Sequence, residues 1–184
     1  MPEPRRNTRT SKTPVKSRTI DEYGHLQPQA IDFEEAVLGA LMIEKDAYSV
    51  VSEILRPESF YDHRHQLLYK AITTLAMRQQ PIDILTVAEQ LRSTGELEEA
   101  GGPFYITQLS GKVASSAHIE YHARIIAQKY LARELITFTS NIQTKAFDET
   151  QDVDDLMQEA EGKLFEISQK NMKKDYTQIN PVIQ

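Results

Sequence analysis

The chain has 184 residues, of which 40% are hydrophobic and 26% are charged, and its formal net charge at pH 7 is −6. Without cysteine it can form neither disulfides nor thiolate zinc sites, and no apolar run approaches the about 20 residues that cross a bilayer. We therefore expect a soluble protein of a reducing cytoplasm, with no membrane contact and a core of its own.

The first 20 residues form a basic segment. They hold six Lys or Arg and one Glu, a charge of +5, which leaves −11 on the rest of the chain. Prolines and a near absence of apolar side chains predict that residues 1–27 are a disordered tail. A solvated tail is the simplest interpretation. The alternative is a nucleic-acid arm, because only this segment is basic enough to neutralise phosphates.

Residues 28–112 are predicted to form a globular subdomain of short helices. Asp32 and Glu35 fit a capping box at the start of the first helix. A second helix is expected from Asp46 until Pro57, and a third from His65.

Residues typical of helix ends predict two more short helices. Asp83 is expected to cap a fourth helix that Gly95 ends, and Pro103 to open a fifth. No segment alternates polar and apolar residues as a strand does, so we predict an all-α fold.

Residues 113–170 are predicted to form an antiparallel helical hairpin. A first helix over residues 116–147 is followed by the acidic turn 148–152 and a second amphipathic helix. The first helix would extend about 48 Å, whereas a compact domain of this size is about 40 Å across. We therefore expect a compact helical bundle from which the hairpin protrudes, with residues 171–184 as the start of a linker.

The first hairpin helix has apolar residues on two faces. Steps of four and three predict the seam with the second helix, and its members are Tyr121, Ile125, Gln128, Ala132, Leu135, Thr139, Ile142 and Ala146. The facing residues of the second helix are Val153, Leu156, Met157, Ala160, Leu164 and Ile167. Ile119, Ile126 and Tyr130 lie off this seam, and Phe165 lies to the side of the second helix. These residues are expected to contact either the chain's own globule or a second copy.

A phosphate-binding loop needs Gly, four residues, Gly-Lys and then Ser or Thr. Gly111-Lys112 comes nearest, but Ile106 and Val113 stand where the first glycine and the hydroxyl residue would be. We therefore predict no nucleotide site in this chain.

Histidine and carboxylate pairs also fit no catalytic or metal motif. The histidine pairs are His63 with His65 and His118 with His122. The acidic pairs, which we interpret as solvated acids at helix starts or on polar faces, are Glu34–Glu35, Glu98–Glu99 and Asp154–Asp155. We predict no catalytic, cofactor-binding or metal-binding residue.

Five fragments in order resemble one protein family. They are EAVLGAL at residues 35–41, LRPESFY at 55–61, PID at 81–83, LEEAGG at 97–102 and YHARII at 121–126. The series is similar to the N-terminal domain of the bacterial replicative DNA helicases of the DnaB family, over residues 29–169. Phe33 departs from the small residue usual there, and the basic tail is longer than is common in the family.

The resemblance implies a globule and hairpin that dimerise and assemble as a trimer of dimers above a ring of six ATPase domains. It implies the primase C-terminal domain and the helicase loader as partners. The family's motor, which unwinds DNA 5′ to 3′ with ATP and Mg²⁺, would lie outside this chain, which is then no enzyme by itself.

For individual residues, the resemblance implies two surfaces. The residues expected at the dimer interface are Ile119, Ile126, Tyr130 and Phe165, and those expected to bind primase are Tyr105, Ile136 and Ile142. A different class of function stays open: a stand-alone helical DNA-binding or regulatory protein that uses its basic tail, with DNA affinity that falls steeply with salt.

Overall fold

The computed structural model describes residues 26–112 and 118–175, the last five as backbone only. Helices form its regular structure, and none of these residues forms a strand, which confirms the all-α fold class. In chain order they are α1 (Ile31–Leu41), α2 (Ala47–Ser52), a 3₁₀ turn (Pro57–Ser59), α3 (His63–Met77), α4 (Ile84–Ser93), α5 (Gly102–Ser110), α6 (Ile119–Ala146) and α7 (Val153–Asp175).

The globule is built around α1. This helix packs against α3, α5 and α6, so residues on several of its sides are buried, including Val37, Leu38 and Leu41. Leu68 and Ile72 of α3 lie in the same core. The series of short helices therefore encloses one continuous apolar cluster.

Side-chain caps set several helix starts. Asp83 accepts the amide hydrogens of Leu85 and Thr86, both at 2.9 Å, and Thr86 Oγ1 accepts the Asp83 amide hydrogen, so the predicted cap of α4 is confirmed. Gly95, which follows α4, has φ +74°, a value that favours glycine.

The predicted capping box of α1 is wrong. The helix begins at Ile31 with Ala30 as its cap residue, and no side chain caps it. Asp32 therefore lies inside the first turn. Glu35 does not reach back to the helix start, because its carboxylate binds Lys112 Nζ.

Helices α6 and α7 form the hairpin. At about 1.5 Å per residue, the 28 residues of α6 extend about 42 Å. Helix α6 lies on α1, α2 and the 3₁₀ turn, whereas the main packing of α7 is against α6. Asp152 accepts the amide hydrogens of Asp154 and Asp155 at the start of α7.

Among the described residues, no helix combines the length and the apolar character that a membrane span requires.

Candidate functional site

Arg133 fastens the hairpin to the globule at the middle of α6. Its Nη1 donates to the carbonyl of Pro28 (2.8 Å) and its Nη2 to the carbonyl of Ser59 (2.9 Å). The guanidinium also lies near the rings of Tyr61 and Tyr130, at 5.4 and 5.7 Å from their centroids. Burial lowers the pKa of Arg133, and the negative charge of Glu34 opposes this shift. One side chain thus joins the start of the fold, the 3₁₀ turn and the hairpin.

The part of α6 before Arg133 belongs to the globule. Ile126 is only 1% exposed and packs in the core with Ala123. It therefore contacts the chain's own globule and not a second copy. Ile119 is partly buried against the same core, and Tyr130 is half-buried. Burial raises the pKa of Tyr130, and Glu134 beside it raises it further.

The outer part of the hairpin exposes large apolar side chains. Phe165 of α7, predicted at a dimer interface, is 64% exposed. It shares this property with Leu135, Phe147, Val153, Met157 and Leu164. The outer hairpin therefore leaves several large apolar side chains in contact with solvent.

The two hairpin helices meet on a face next to the predicted one. A groove of about 560 Å³ lies between them. Its lining residues are Glu134, Thr137, Phe138, Asn141 and Ile142 of α6 and Gln158, Glu159, Gly162, Lys163 and Glu166 of α7. Ile142, Leu156 and Ile167 are at least partly buried, as the seam requires.

The predicted seam is wrong for its exposed members. Tyr121, Leu135 and Leu164 are 65%, 37% and 48% exposed, and Val153 and Met157 are 70% and 56% exposed. Gln128, Thr139 and Ala146 are exposed as well. Glu134 and Phe138, each one position from a predicted seam residue, line the groove instead. The prediction failed because glutamate, asparagine and lysine side chains line this groove. The spacing of apolar residues alone therefore placed the contact on the wrong face of α6.

A buried polar cluster joins α1, α3 and α5, and it lies close enough to Arg133 for the charge of Glu34 to act on that guanidinium. Glu34 Oε1 accepts the amide hydrogen of Tyr61 (2.6 Å), and Oε2 accepts the amide hydrogen of Asp62 (3.3 Å) and lies 2.6 Å from the ring nitrogen Nδ1 of His65. The side chains of Glu34 and His65 are 1% and 0% exposed. The Glu34 carboxylate can be buried because hydrogen bonds satisfy both of its oxygens.

The interpretation of Glu34 and Glu35 as solvated acids is therefore wrong. Both residues are buried, since α1 packs against α3, α5 and α6. Asp154 and Asp155, in contrast, are exposed at the start of α7, as predicted.

Tyr105, a predicted primase contact, is part of the buried cluster. Its hydroxyl lies 2.7 Å from His65 Nε2 and 3.4 Å from Glu35 Oε1, and Arg64 stacks on its ring at 4.3 Å. With Nδ1 facing the Glu34 carboxylate and Nε2 facing the Tyr105 hydroxyl, both ring nitrogens of His65 have a hydrogen-bond partner. Burial raises the pKa of Tyr105, while Arg64 acts to lower it.

The other two predicted primase contacts lie on the hairpin. Ile136 and Ile142 are half-buried on α6, and Ile142 lines the groove. The structure does not bring either of them to Tyr105, whose polar contacts are with α1 and α3. Sequence reasoning missed Glu34 and Arg133, although an arginine within a helix of apolar faces was a signal for the second.

The arrangement suits binding by shape and apolar contact. Among the described residues, no group of three His, Asp or Glu side chains is placed to hold a metal ion.

Comparison with known proteins identifies the fold. The family model for the DnaB-like helicase N terminal domain matches residues 26–128. The replicative DNA helicase DnaB of Rhodothermus marinus is 44% identical over 87% of this chain, which spans 17% of that protein. The replicative DNA helicase DnaC of Bacillus subtilis is 37% identical over 86% of the chain and 35% of its own length. The chain thus spans about a third or less of these two relatives.

Solved structures agree. The N-terminal domain of the DnaB helicase from Mycobacterium tuberculosis matches with a TM-score of 0.72 and 35% identity, over 76% of this chain and 98% of that domain. A DnaB-like replicative helicase, described with its interactions with primase, matches with a TM-score of 0.63 over 84% of this chain and 36% of its own; at 23% identity it supports the fold alone. Globule, hairpin and sequence agree, and the chain belongs to the family of DnaB-like helicase N-terminal domains.

Proposed function

We propose that this chain is the assembly and partner-docking domain of a replicative DNA helicase. The observation that carries the proposal is the outer hairpin, whose α7 exposes Met157, Leu164 and Phe165 although the globule has a complete core of its own. Such surface favours contact with another protein chain. In the proposed assembly, hairpins pair into dimers and three dimers form the collar of a hexamer.

The dimer contacts that we propose are Phe165, Tyr130 and Ile119. Phe165 is the largest exposed aromatic side chain of α7, while Tyr130 and Ile119 are half-buried and would add only part of their surface. Ile126 has no exposed surface to contribute and instead fixes the helix that carries the others.

The proposed partner is primase, through its C-terminal domain, with the helicase loader as a further partner. The choice rests on membership of the DnaB-like family, in which one replicative helicase has been described with its interactions with primase. Ile136 and Ile142 would offer the exposed parts of their side chains, and Tyr105 its ring. DNA unwinding in the 5′ to 3′ direction, with ATP and Mg²⁺, would belong to an ATPase domain of the whole helicase and not to these residues.

Two measurements test the proposal. Analytical ultracentrifugation of the chain should show dimers or larger rings, and Phe165→Asp should shift the distribution toward monomer by about tenfold in the dissociation constant, because a charge at a desolvated contact is costly. Phe104→Asp is the matched control, since Phe104 is an 82% exposed aromatic residue of the globule. A pull-down with the cognate primase C-terminal domain tests the partner.

A strict monomer at high micromolar concentration would contradict the assembly role. Equal effects of the Phe165 and Phe104 substitutions would show that the hairpin is not part of the dimer interface.

A further inference from the structure

The basic tail is not explained by the proposed function. Six of its first 20 residues are Lys or Arg, and the family model begins only at residue 26. The rest of the chain is acidic, so it does not extend the tail into a larger basic surface. A binding partner for this segment must therefore carry negative charge.

The groove between α6 and α7 has the shape and charge that arginine side chains require. Phe138 and Ile142 contribute apolar surface, and Glu134, Glu159 and Glu166 contribute carboxylates. A Cβ atom placed on Gly162 would meet nothing within 4 Å, so this glycine leaves the groove open. Arginine lays its aliphatic stem on apolar surface while its planar guanidinium binds carboxylates in pairs.

The hairpin arm that forms one wall is strongly acidic. Residues 148–166 hold eight Asp or Glu and one Lys, a charge of −7 against the +5 of the first 20 residues. Two carboxylates of the groove already bind lysines, Glu159 with Lys145 and Glu166 with Lys163 (3.2 Å). A carboxylate has about four acceptor sites, so these ion pairs leave room for a guanidinium.

The tail also starts beside this groove. Arg133 holds the carbonyl of Pro28, and Glu134, the next residue of α6, lines the groove. The groove residues of α6 extend from Glu134 to Ile142, about 12 Å along the helix. Ten extended residues span about 33 Å, so Arg18 and every basic residue before it can reach the whole groove from Pro28.

We propose that residues 5–18 of the tail bind in the groove between α6 and α7 of the same chain. Single contacts between exposed charges are weak, but tethering makes the encounter intramolecular, with an effective concentration in the millimolar range. The contact covers part of the hairpin without adding to the core. It is sensitive to salt, because the Debye length falls from about 10 Å at 0.1 M to about 3 Å at 1 M.

A nitroxide label on the tail gives a direct test. Because the chain has no cysteine, Ser11→Cys places one label on the full chain without other changes. In ¹H–¹⁵N spectra at low salt, we expect the label to reduce the amide signals of Asn141 and Gly162 by about half or more. The signals of α4, including Leu91, should stay unchanged, and 1 M salt should restore the groove signals.

Matched charge variants identify the binding surface. Glu134→Gln, Glu159→Gln and Glu166→Gln together should abolish most of the signal loss at Gly162. The control carries three substitutions of exposed glutamates outside the hairpin and should retain it: Glu44→Gln, Glu53→Gln and Glu89→Gln. Replacing the six basic tail residues by Gln in the full chain should also abolish it, and this second variant leaves the folded residues untouched.

Three results would overturn the proposal. The first is an unreduced Gly162 signal in the labelled protein at low salt, and the second is equal signal loss in the two glutamate variants. The third is signal loss at Gly162 in ¹⁵N-labelled chains that carry no nitroxide and are mixed with spin-labelled chains lacking ¹⁵N, which would assign the tail to a neighbouring molecule. A tail that leaves the groove unoccupied but binds a single-stranded oligonucleotide with steep salt dependence would be a nucleic-acid arm instead.

Discussion

The globule and the hairpin use the same helical period but differ in what they bury. In the globule, Leu38, Leu68 and Ile72 are fully enclosed. In α6 the buried residues are Ala123 and Ile126, both before Arg133, and among the described side chains of α7 only Leu156 and Ile167 are buried. The globule is stabilised by its own core, whereas the outer hairpin is only two helices thick and leaves large apolar side chains exposed.

The strongest test of this contrast places the same charge in each region. Ile126→Asp should lower the free energy of unfolding by about 4 kcal/mol or more, because the carboxylate would be buried without a partner. Leu135→Asp on the same helix should cost less than about 1 kcal/mol, since Leu135 is 37% exposed. Urea unfolding followed by circular dichroism measures both, and comparable losses would show that the outer hairpin is as tightly packed as the globule.

A substitution of intermediate effect tests the polar part of the globule. Glu34→Gln should cost about 1–3 kcal/mol, because the amide group offers one acceptor oxygen where the carboxylate offers two to Tyr61, Asp62 and His65. Glu120→Gln removes an exposed carboxylate that pairs with Arg124 and should cost less than about 1 kcal/mol. Equal urea midpoints for the two variants would show that the buried Glu34 carboxylate stabilises the fold no more than the exposed Glu120 carboxylate does.

The smallest effect is expected in the hairpin itself. Gly162→Ala should stabilise the protein by about 0.5–1 kcal/mol, because alanine favours a helix interior and its Cβ would meet open space. Gly101→Ala should act in the opposite direction, since Gly101 has φ +105° and a Cβ there would lie 2.6 Å from the Tyr105 ring. Thermal unfolding of the two variants should shift in opposite directions; a lower melting temperature for Gly162→Ala would indicate that α7 needs its glycine.

Local signals in the sequence were enough for the helices but not for their contacts. Asp83, Gly95 and the turn before Val153 predicted helix ends that the structure confirms, because caps and breakers act within a few residues. The pairing of Glu34 with His65, 31 positions later, depends on the packing of α1 on α3. Nothing near either residue in the sequence specifies it.

The hairpin seam shows the same limit. Apolar spacing located the helices α6 and α7, but Glu134 and Asn141 line their shared groove and Leu135 does not. A two-helix contact with exposed edges tolerates polar residues, so its phase cannot be read from hydrophobicity alone. In the globule, where burial is complete, the apolar residues Leu38, Leu68 and Ile72 are all in the core.

The bond from Arg133 to the Pro28 carbonyl also decides where an N-terminal fusion would lie. A fluorophore or affinity tag joined before residue 26 enters the fold beside the midpoint of α6, next to Tyr130 and Glu134. Such an attachment acts as a reporter of the hairpin, and a bulky one acts as a steric block to any protein that approaches it. Binding assays on this domain should therefore place their tags on the exposed C-terminal end of α4, at Ser93, which is remote in sequence from both hairpin helices.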